Sequence, residues 1–312
     1  MRILVTGASG YLGGHLIRLL ADDHDVVAFS RRQGPWLPSG AERPGVTWRE
    51  GDIRNSGDVR AALKGVELVI HLAGAKQLTA DPASVWAMVE TNVVATQGLL
   101  NEARAAGVER LVFASSYKVY GRQGGHELPS TEASELRPSE PYGWSKALAE
   151  QLITQSGIRA LILRLSNVFG FGADRVASRE VVWSMVDAAF QRATIEVEGT
   201  GEQTLDLIAV DDACTAIRRL SESASVWGET VNLGSGTAVS VHALAQMVAS
   251  TFQELYGQEI AIRRVPASDH TPAHSRAISV DRLGRYDTLR PRVSLEEAIR
   301  FYVKEHERSL VT

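Results

Sequence analysis

The sequence predicts an α/β fold with a doubly wound parallel sheet and a smaller, interleaved C-terminal lobe. Short β-branched runs alternate with amphipathic helical stretches over the first half of the chain, a pattern typical of βαβ units. The runs show no polar alternation, so helices are expected to cover both faces of the sheet. They are Ile3–Val5, Val26–Phe29, Leu68–Ile70, Leu111–Phe113 and Leu161–Leu163.

The pattern loosens after Asn167, which indicates a second lobe interleaved with the last strands of the sheet. The predicted division is a dinucleotide-binding sheet domain of residues 1–170 with 204–240 and a substrate-binding lobe of residues 171–203 with 241–312. The elements expected in this part of the chain are a helix over Val181–Phe190, strands near Ile195 and Leu207, and helices from Val241 and Leu295.

Composition excludes several classes of site. A chain of 312 residues with 44% hydrophobic content can bury a large core without covalent cross-links. Its single cysteine, Cys214, can form neither an internal disulfide nor a cysteine-based metal cluster, so no metal is predicted. We expect Cys214 to be buried in a helix, in a protein kept in the reducing cytoplasm.

Charge and hydropathy limit the partners. The net charge is −4, and the sequence contains no long run of charged residues of either sign. Both observations argue against nucleic acid as a partner. The chain has no apolar stretch of the roughly 20 residues that span a membrane, and a first strand from Arg2 leaves no room for a signal peptide. A small molecule is therefore the expected partner.

Three glycines, Gly7, Gly10 and Gly13, stand between the first strand and the first helix. Glycine allows a tight turn and close approach of the backbone to a pyrophosphate, whose charge a helix N-terminus stabilises. The glycines could form a plain turn, but the strand before them and the helix after them favour a Rossmann dinucleotide-binding site. The predicted contacts in this loop also include Ser9, Tyr11 and Leu12.

The end of the second strand bears on the choice of dinucleotide. An acid there would bind the ribose 2′-hydroxyl of NAD, whereas an arginine would accept the 2′-phosphate of NADP. The chain has Ser30, Arg31 and Arg32 and no acid at this place. The sequence therefore favours NADP, with NAD as the alternative and a solvated surface as the non-functional interpretation.

Later segments fit the same ligand. Asp52 and Ile53 follow a strand, where the carboxylate could accept from the adenine amino group or instead cap the helix from Ser56. The ribose could lie against the small residues after the fourth strand, and His71 is expected to be a packed strand residue. The contacts predicted there are Leu72, Ala73 and Gly74.

Asn92, within the predicted helix Ala83–Ala106, is a further predicted cofactor contact. Its amide is expected to bind backbone groups near the nicotinamide.

Tyr142 and Lys146 are four residues apart, so a phenol and an ammonium share one helix face. A free phenol titrates near 10. A cation beside it, together with the charge of an oxidised nicotinamide, is expected to lower the pKa of Tyr142 and allow proton exchange at neutral pH. Ser116 follows the strand Leu111–Ala114, which places its hydroxyl at the carboxyl end of the sheet, where ligands bind.

Together these motifs resemble the extended short-chain dehydrogenase/reductase family. The matching residues are the three glycines, Ser116 with Tyr120-Gly121, Tyr142 with Lys146, Arg164 through Gly170, Val210-Asp211-Asp212 and Asn232 through Gly236. The resemblance covers nearly the whole chain. It implies that Tyr142 donates or accepts the proton, that Lys146 assists it and holds the nicotinamide ribose, and that Ser116 polarises the reacting oxygen.

The resemblance also implies a nucleotide-activated sugar as substrate, with Tyr117, Lys118 and Asn167 among its contacts. The chain departs from the family pattern at Leu205–Ala209, where many members have an arginine and an aromatic residue or histidine. A late arginine that grips the diphosphate is also missing from its usual place, although Arg276 or His274 could replace it. These departures argue against a standard UDP-sugar site, and they leave another nucleotide sugar, or a substrate that is not a nucleotide sugar, as the alternatives.

The reaction follows in part from the same comparison. Family 4,6-dehydratases carry an Asp-Glu pair where this chain has Tyr117-Lys118, so dehydration is not expected. Reduction of a 4-keto-sugar and NAD-dependent 4-epimerisation both use the Ser, Tyr and Lys. The missing acid after the second strand favours the reductase, whereas Lys76 favours the epimerase because 4-epimerases can have a lysine here near the cofactor phosphates. A dinucleotide sensor without turnover is the third hypothesis.

Family members pair through the helices that begin here near Ala83 and Tyr142, so a homodimer is expected. The apolar residues at helical spacing that would form the interface are Val85, Val89, Val93 and Leu100. The alternative is that these four side chains all face the chain's own sheet.

Overall fold

The computed structural model describes residues 1–34, 43–76, 81–121, 129–171, 180–267, 276–286 and 293–311. Its strands are β1 (Arg2–Thr6), β2 (Asp25–Ser30), β3 (Val46–Glu50), β4 (Leu68–His71), β5 (Arg110–Ser116), β6 (Arg159–Leu165), β7 (Asn167–Phe169), β8 (Thr194–Glu198), β9 (Thr204–Ala209), β10 (Thr230–Leu233), β11 (Ala238–Ser240) and β12 (Ala261–Val265). The helices are α1 (Tyr11–Leu20), α2 (Ser56–Ala62), α3 (Pro82–Val89), α4 (Ala95–Ala105), α5 (Pro141–Gln155), α6 (Val181–Arg192), α7 (Val210–Glu222), α8 (Val241–Tyr256), α9 (Leu283–Tyr286) and α10 (Leu295–Val311).

Seven parallel strands form the central sheet in the order β10-β6-β5-β4-β1-β2-β3. The order reverses between β1 and β4, and in a doubly wound sheet ligands bind in the crevice at this point. Helices α1 and α7 pack on one face and α2, α4 and α5 on the other. The predicted doubly wound α/β fold is thus confirmed.

A second apolar cluster lies outside the sheet and is built mainly from α6, α8 and α10. It reaches back to β9, whose Leu205 and Leu207 pack into this cluster while Ile208 packs under the main sheet. Because its side chains alternate between two faces, β9 contributes both to the apolar core of the lobe and to the core under the sheet. Cys214 is buried in α7, as expected.

One of the predicted helices is divided. The stretch expected as Ala83–Ala106 begins at Pro82, capped by Asp81, and passes through a π-helical turn over Glu90–Val94. Such turns insert one extra residue per turn and are frequent at functional sites.

Among the described residues, no helix is both long and apolar enough to cross a membrane.

A buried ion pair joins α5 to β6 beneath the carboxyl edge of the sheet. Arg164 contacts Glu150 through two guanidinium nitrogens, at 2.8 Å and 3.1 Å, and the side chains are only 7% and 6% exposed. Glu150 also accepts a hydrogen bond from Ser115 on β5, while Arg164 donates to the Tyr120 hydroxyl at 3.1 Å. Tyr120 in turn donates to Asn232 on β10 at 2.6 Å. The network therefore connects three adjacent strands to one helix.

We expect Glu150→Gln to lower the free energy of unfolding by about 3–5 kcal/mol, because it leaves the buried Arg164 cation without its counter-charge. Urea unfolding followed by circular dichroism measures the change. The control is Glu109→Gln, which breaks a fully exposed pair with Arg159 and should leave the midpoint in place. Equal midpoints for the two variants would show that the buried pair does not hold the sheet edge.

Candidate functional site

A cleft of about 890 Å³ opens at the point where the strand order reverses, between the sheet and the second lobe. It collects most of the residues that the sequence singled out. Those lining it are Gly7, Gly10, Tyr11, Leu12, Gly13, Leu72, Gly74, Lys76, Ser116, Tyr117, Lys118, Tyr142, Lys146 and Asn167. Predicted residues from five separate segments therefore face one space.

The other predicted contacts do not line this cleft. Some follow the carboxyl edge of the sheet beyond the glycine turn, where Ala8 N donates to Phe29 O and Gly51 N donates to Ser30 O. A ligand that extends from the cleft over the turn would reach them. The residues outside the cleft are Ser9, Ser30, Arg31, Arg32, Asp52, Ile53, Ala73 and Asn92.

The glycine turn leaves no room for side chains. Gly7 has φ = 70°, and a Cβ on it would lie 2.7 Å from Ala73 N. A Cβ on Gly13 would lie 2.4 Å from Gly7 O, so α1 packs directly against the turn. At Gly10, the N-cap of α1, the backbone N–H donates to Gly7 O at 2.9 Å. Glycine is thus required at positions 7 and 13 by the backbone itself.

The N-terminus of α1 fits a pyrophosphate. Its N-cap supplies no side-chain hydrogen bond, and the first turn of Tyr11–Leu20 contains no acidic residue. The first backbone N–H groups of a helix lack intrahelical partners, and the helix dipole favours an anion at this end. The cradle that the glycines leave open is therefore suited to the diphosphate of a dinucleotide.

Asp52 is engaged by a neighbouring arginine. Arg54 donates to both carboxylate oxygens, with Nη2 2.6 Å from Oδ2, and these hydrogen bonds lower the pKa of Asp52 to about 2. The helix that begins at Ser56 is capped by Asn55, so the alternative that Asp52 caps it is wrong. The carboxylate of Asp52 would accept a hydrogen bond from an adenine amino group while it remains paired with Arg54.

Asn92 fixes the segment after β4. Its Oδ1 accepts from Ala75 N at 2.7 Å, and its Nδ2 donates to Ala75 O and to Ser145 Oγ, both at 2.9 Å. The π turn thus carries a buried amide that binds the backbone of Ala75. It links the edge of the cleft to the helix that carries Tyr142 and Lys146.

His71 is a packed strand residue, as expected. Its ring nitrogens lie 2.7 Å from Thr6 Oγ1 and 3.0 Å from Thr96 Oγ1. Complete burial, with the nearby charge of Lys146, lowers the pKa of His71 to about 3. The imidazole is thus neutral at neutral pH, and its two partners join β1, β4 and α4.

The predicted catalytic residues come from two adjoining elements. Ser116 is the last residue of β5, and its hydroxyl accepts a hydrogen bond from Lys118 N at 3.3 Å. Lys146, on α5, is 4% exposed and donates from Nζ to Ala114 O at 2.9 Å. Its Nζ lies 5.9 Å from the centroid of the Tyr142 ring. The strand end thus holds both the serine and the partner of the lysine.

The chain's own surroundings of Tyr142 oppose its ionisation. Burial raises the pKa of the phenol, and the negative charges of Glu140 and Glu180 and the neighbouring Tyr117 add to the rise. Burial also lowers the pKa of Lys146 from 10.5 to about 8. The prediction that Lys146 together with an oxidised nicotinamide lowers the phenol pKa stays a prediction, because it includes the charge of a bound cofactor.

The far side of the cleft contains a cation that the sequence named only as a substitute. Arg276 donates from Nη1 to the Tyr117 hydroxyl at 3.0 Å, and its guanidinium lies 5.6 Å from the centroid of the Tyr117 ring. Tyr117 in turn donates to Asn167 Oδ1 at 3.1 Å. Leu205 lines the same region as an apolar residue. The alternative cation, His274, lies outside the described residues.

Sequence reasoning predicted a substrate-binding second lobe but not which of its residues line the cleft. Residues of α6, β8 and their neighbours complete the cleft, and their irregular pattern gave no signal for it. They include Glu180, Ser184, Met185, Arg192, Glu196, Glu198 and Gln203. Glu180 pairs with Lys76 at 2.7 Å, so Lys76 already has an anionic partner across the cleft.

Comparisons with known proteins agree with the family resemblance of the sequence. A sequence model of the NAD dependent epimerase/dehydratase family matches residues 3–234. The chain is 30% identical to a dTDP-4-dehydro-6-deoxy-D-allose reductase of Streptomyces bikiniensis, over 98% of this chain and 97% of the relative. It is 29% identical to a UDP-glucose 4-epimerase of Mycolicibacterium smegmatis, over 96% of each chain.

A solved structure shares the whole architecture. MoeE5 in complex with UDP-glucuronic acid and NAD superposes with a TM-score of 0.84 and is 28% identical, covering 99% of this chain and 100% of that one.

The depressed pKa of Lys146 predicts a pH dependence of stability. Between pH 8 and 10.5 the unfolded chain holds more of this proton than the folded chain, so stability rises with pH across that window. In protein stripped of nucleotide, wild type should gain about 3 kcal/mol relative to Lys146→Met over this range. Urea titrations of both proteins at several pH values measure the difference. A constant difference would mean that Lys146 titrates normally.

Proposed function

The chain belongs to the NAD-dependent epimerase/dehydratase family of extended short-chain dehydrogenases/reductases, and on that premise we propose that it transfers hydride at a carbon of a nucleotide-activated sugar. The observation that carries the proposal is the convergence of Ser116, Tyr142 and Lys146 on the cleft that also contains the glycine turn. A dinucleotide sensor would have no use for a buried lysine beside a phenol. An enzyme is therefore the better account of the site.

The residues would divide the chemistry as follows. A bound nicotinamide supplies or accepts the hydride. Ser116 donates a hydrogen bond to the reacting sugar oxygen, and Tyr142 gives that oxygen a proton or removes one. Lys146 holds the ribose and adds positive charge beside the phenol, whose pKa the chain alone raises.

A nucleotide sugar suits the cations of the substrate side. In the described residues, neither Arg276 nor Arg192 has a carboxylate partner, and both line the cleft. Arginine binds phosphate oxygens through paired donors, so these side chains would hold the diphosphate while Asn167 contacts it from β7. We assign this role to the lobe of residues 171–203 with 241–312, with Arg276 at its edge. MoeE5, with its bound UDP-sugar, supports the assignment.

Reduction of a 4-keto-sugar is the reaction that we favour. β2 ends at Ser30, and Arg31 and Arg32 follow it directly, so none of the three residues at this place is acidic. This suits the 2′-phosphate of NADP, and with it a cofactor that is exchanged at each turnover. The similarity to the allose reductase over 98% of this chain supports the same reaction. Tyr117 and Lys118 occupy the place of a dehydratase acid pair, which argues against elimination of water.

NAD-dependent 4-epimerisation is the second candidate. The NAD complex of MoeE5 and the similarity to the UDP-glucose 4-epimerase favour it. An epimerase would keep its NAD through the catalytic cycle, so tightly bound NAD in the purified protein would decide for this reaction.

We also propose that the protein is a homodimer through the helices named from the sequence, with other side chains of those helices at its centre. Leu100 is fully buried in the chain's own core, and Val85, Val89 and Val93 are half-buried. The exposed apolar side chains of this region lie on α3, the π turn and α5 instead. They are Trp86, Val94, Trp144 and Leu148, which are 62%, 59%, 55% and 46% exposed. A second copy of the chain would cover them.

Tyr142→Phe should lower turnover by about 10²–10⁴-fold, because it removes the group that exchanges the proton, while dinucleotide and substrate affinities stay within a few-fold of wild type. Ser116→Ala should lower the rate as well, by roughly 10²–10³-fold. Absorbance of the reduced nicotinamide follows the reaction with 4-keto nucleotide sugars. The control, Tyr256→Phe, removes a surface hydroxyl bonded to Glu307 and should keep wild-type turnover. Full activity in Tyr142→Phe would make Tyr142 a structural residue.

NADPH should bind more tightly than NADH, and Arg31→Ala should narrow the ratio roughly tenfold, as expected for the loss of one charge-assisted phosphate contact. Fluorescence titration of the reduced cofactors measures both affinities. The control is Arg159→Ala, which removes an exposed arginine from the opposite edge of the sheet. Equal affinities in the wild type would remove the basis for the reductase.

Light scattering at micromolar concentration should give twice the mass of one chain. Leu148→Glu should give monomers, because it places a charge in the apolar face of α5. Phe301→Glu is the matched control, since Phe301 is 60% exposed on α10, away from this face. A monomeric wild type would contradict the proposal.

A further inference from the structure

A second lysine lies beside Tyr142, and the chemistry proposed above does not use it. Lys118 Nζ is 5.7 Å from the centroid of the Tyr142 ring, at nearly the same distance as Lys146 Nζ at 5.9 Å. Lys118 belongs to the 3₁₀ turn that follows Ser116, and it lines the cleft. The phenol therefore has two ammonium groups near its ring.

The charge of Lys118 is matched by Glu140. The two side chains form an ion pair at 2.7 Å and are 28% and 37% exposed. Glu140 is the N-cap residue of α5, two positions before Tyr142, yet its side chain caps no backbone N–H. Its carboxylate faces Lys118, and its charge acts on the phenol as well.

The backbone fixes this arrangement. Gly143 lies so close to the 3₁₀ turn that a Cβ on it would be 2.6 Å from Lys118 O. A side chain there would push the turn away from α5. The lysine is therefore held against the first turn of the helix by main-chain packing, and the ion pair is more than a chance meeting of two long side chains.

We propose that Lys118 and Glu140 are positioning residues that set the charge which the Tyr142 phenol meets, in addition to Lys146. The inference rests on the role proposed for Tyr142. Within the described residues, the other groups whose charge bears on the phenol are Tyr117 on the same 3₁₀ turn and Glu180 at the start of α6, which also pairs with Lys76. Lys118 and Glu140 have opposite charges, and either one can be removed while the other stays.

The signs follow from Coulomb's law. An ammonium favours the phenolate and a carboxylate disfavours it. Removing Lys118 therefore leaves Glu140 unopposed and makes the phenol harder to ionise. Removing Glu140 frees the ammonium and makes the phenol easier to ionise. At this partial exposure each change should move the ionisation of Tyr142 by about one pH unit, and less at high salt.

The experiment titrates Tyr142 directly in protein saturated with NAD⁺. Near-ultraviolet tyrosinate absorbance is recorded from pH 6 to pH 11, and the same titration of a Tyr142→Phe version of each protein is subtracted. The variants are Glu140→Gln, Lys118→Met and the double variant. Lys64→Met, which removes an exposed ammonium just before β4 at the opposite sheet edge, is the control.

We expect Tyr142 to ionise at lower pH in Glu140→Gln and at higher pH in Lys118→Met, with the double variant and Lys64→Met close to wild type. Shifts in the same direction, or no shift in Glu140→Gln, would overturn the inference. A wild-type phenol that stays protonated throughout, and stays so in Glu140→Gln, would overturn it too. The readout does not depend on turnover, so opposite shifts in a protein inactive on nucleotide sugars would refute the proposed function alone.

Discussion

The buried ion pair of Glu150 and Arg164 is the interaction on which the site depends. Two desolvated charges contribute little net stability compared with apolar residues of similar volume, so what the pair supplies is position. Glu150 accepts a hydrogen bond from Ser115. On one side of Ser115 is Ala114, whose carbonyl accepts a hydrogen bond from Lys146, and on the other side is Ser116. Because Glu150 and Lys146 are one helical turn apart on α5, the pair sets the depth at which that helix docks on β5. Serine, lysine and tyrosine are thereby placed from a single anchor.

Local sequence patterns were sufficient to predict the sheet and the dinucleotide end of the site. A continuous apolar strand must be covered on both faces of the sheet, so β1, β4, β5 and β6 could be predicted as buried central strands from composition and spacing alone. The glycine turn was equally predictable because its constraint is local: Gly13 packs on Gly7 only six residues away, and neither tolerates a Cβ. Cys214 and His71 were assigned correctly because burial follows from the periodicity of the element that carries each.

Contacts between distant segments could not be read from the chain. Arg276 reaches Tyr117 across 159 positions, and Glu180 reaches Lys76 across 104, so neither pair leaves a pattern in any window of sequence. The burial of Tyr142 could not be read from the chain either. Residue spacing shows that a lysine is near, but not how strongly desolvation raises the pKa of the phenol within the folded chain. Leu100 was misplaced because helical spacing gives the apolar stripe and not which partner covers it.

We propose that these residues direct a hydride between a nicotinamide and a carbon of a nucleotide sugar. Isotope transfer is the sharpest test: the protein is incubated with a 4-keto nucleotide sugar and NADPH or NADH carrying deuterium at the transferred position, and the sugar product is analysed by mass spectrometry. The product sugar should carry one deuterium bound to carbon. A reduced sugar without deuterium, or no sugar product with either cofactor while both bind, would contradict it.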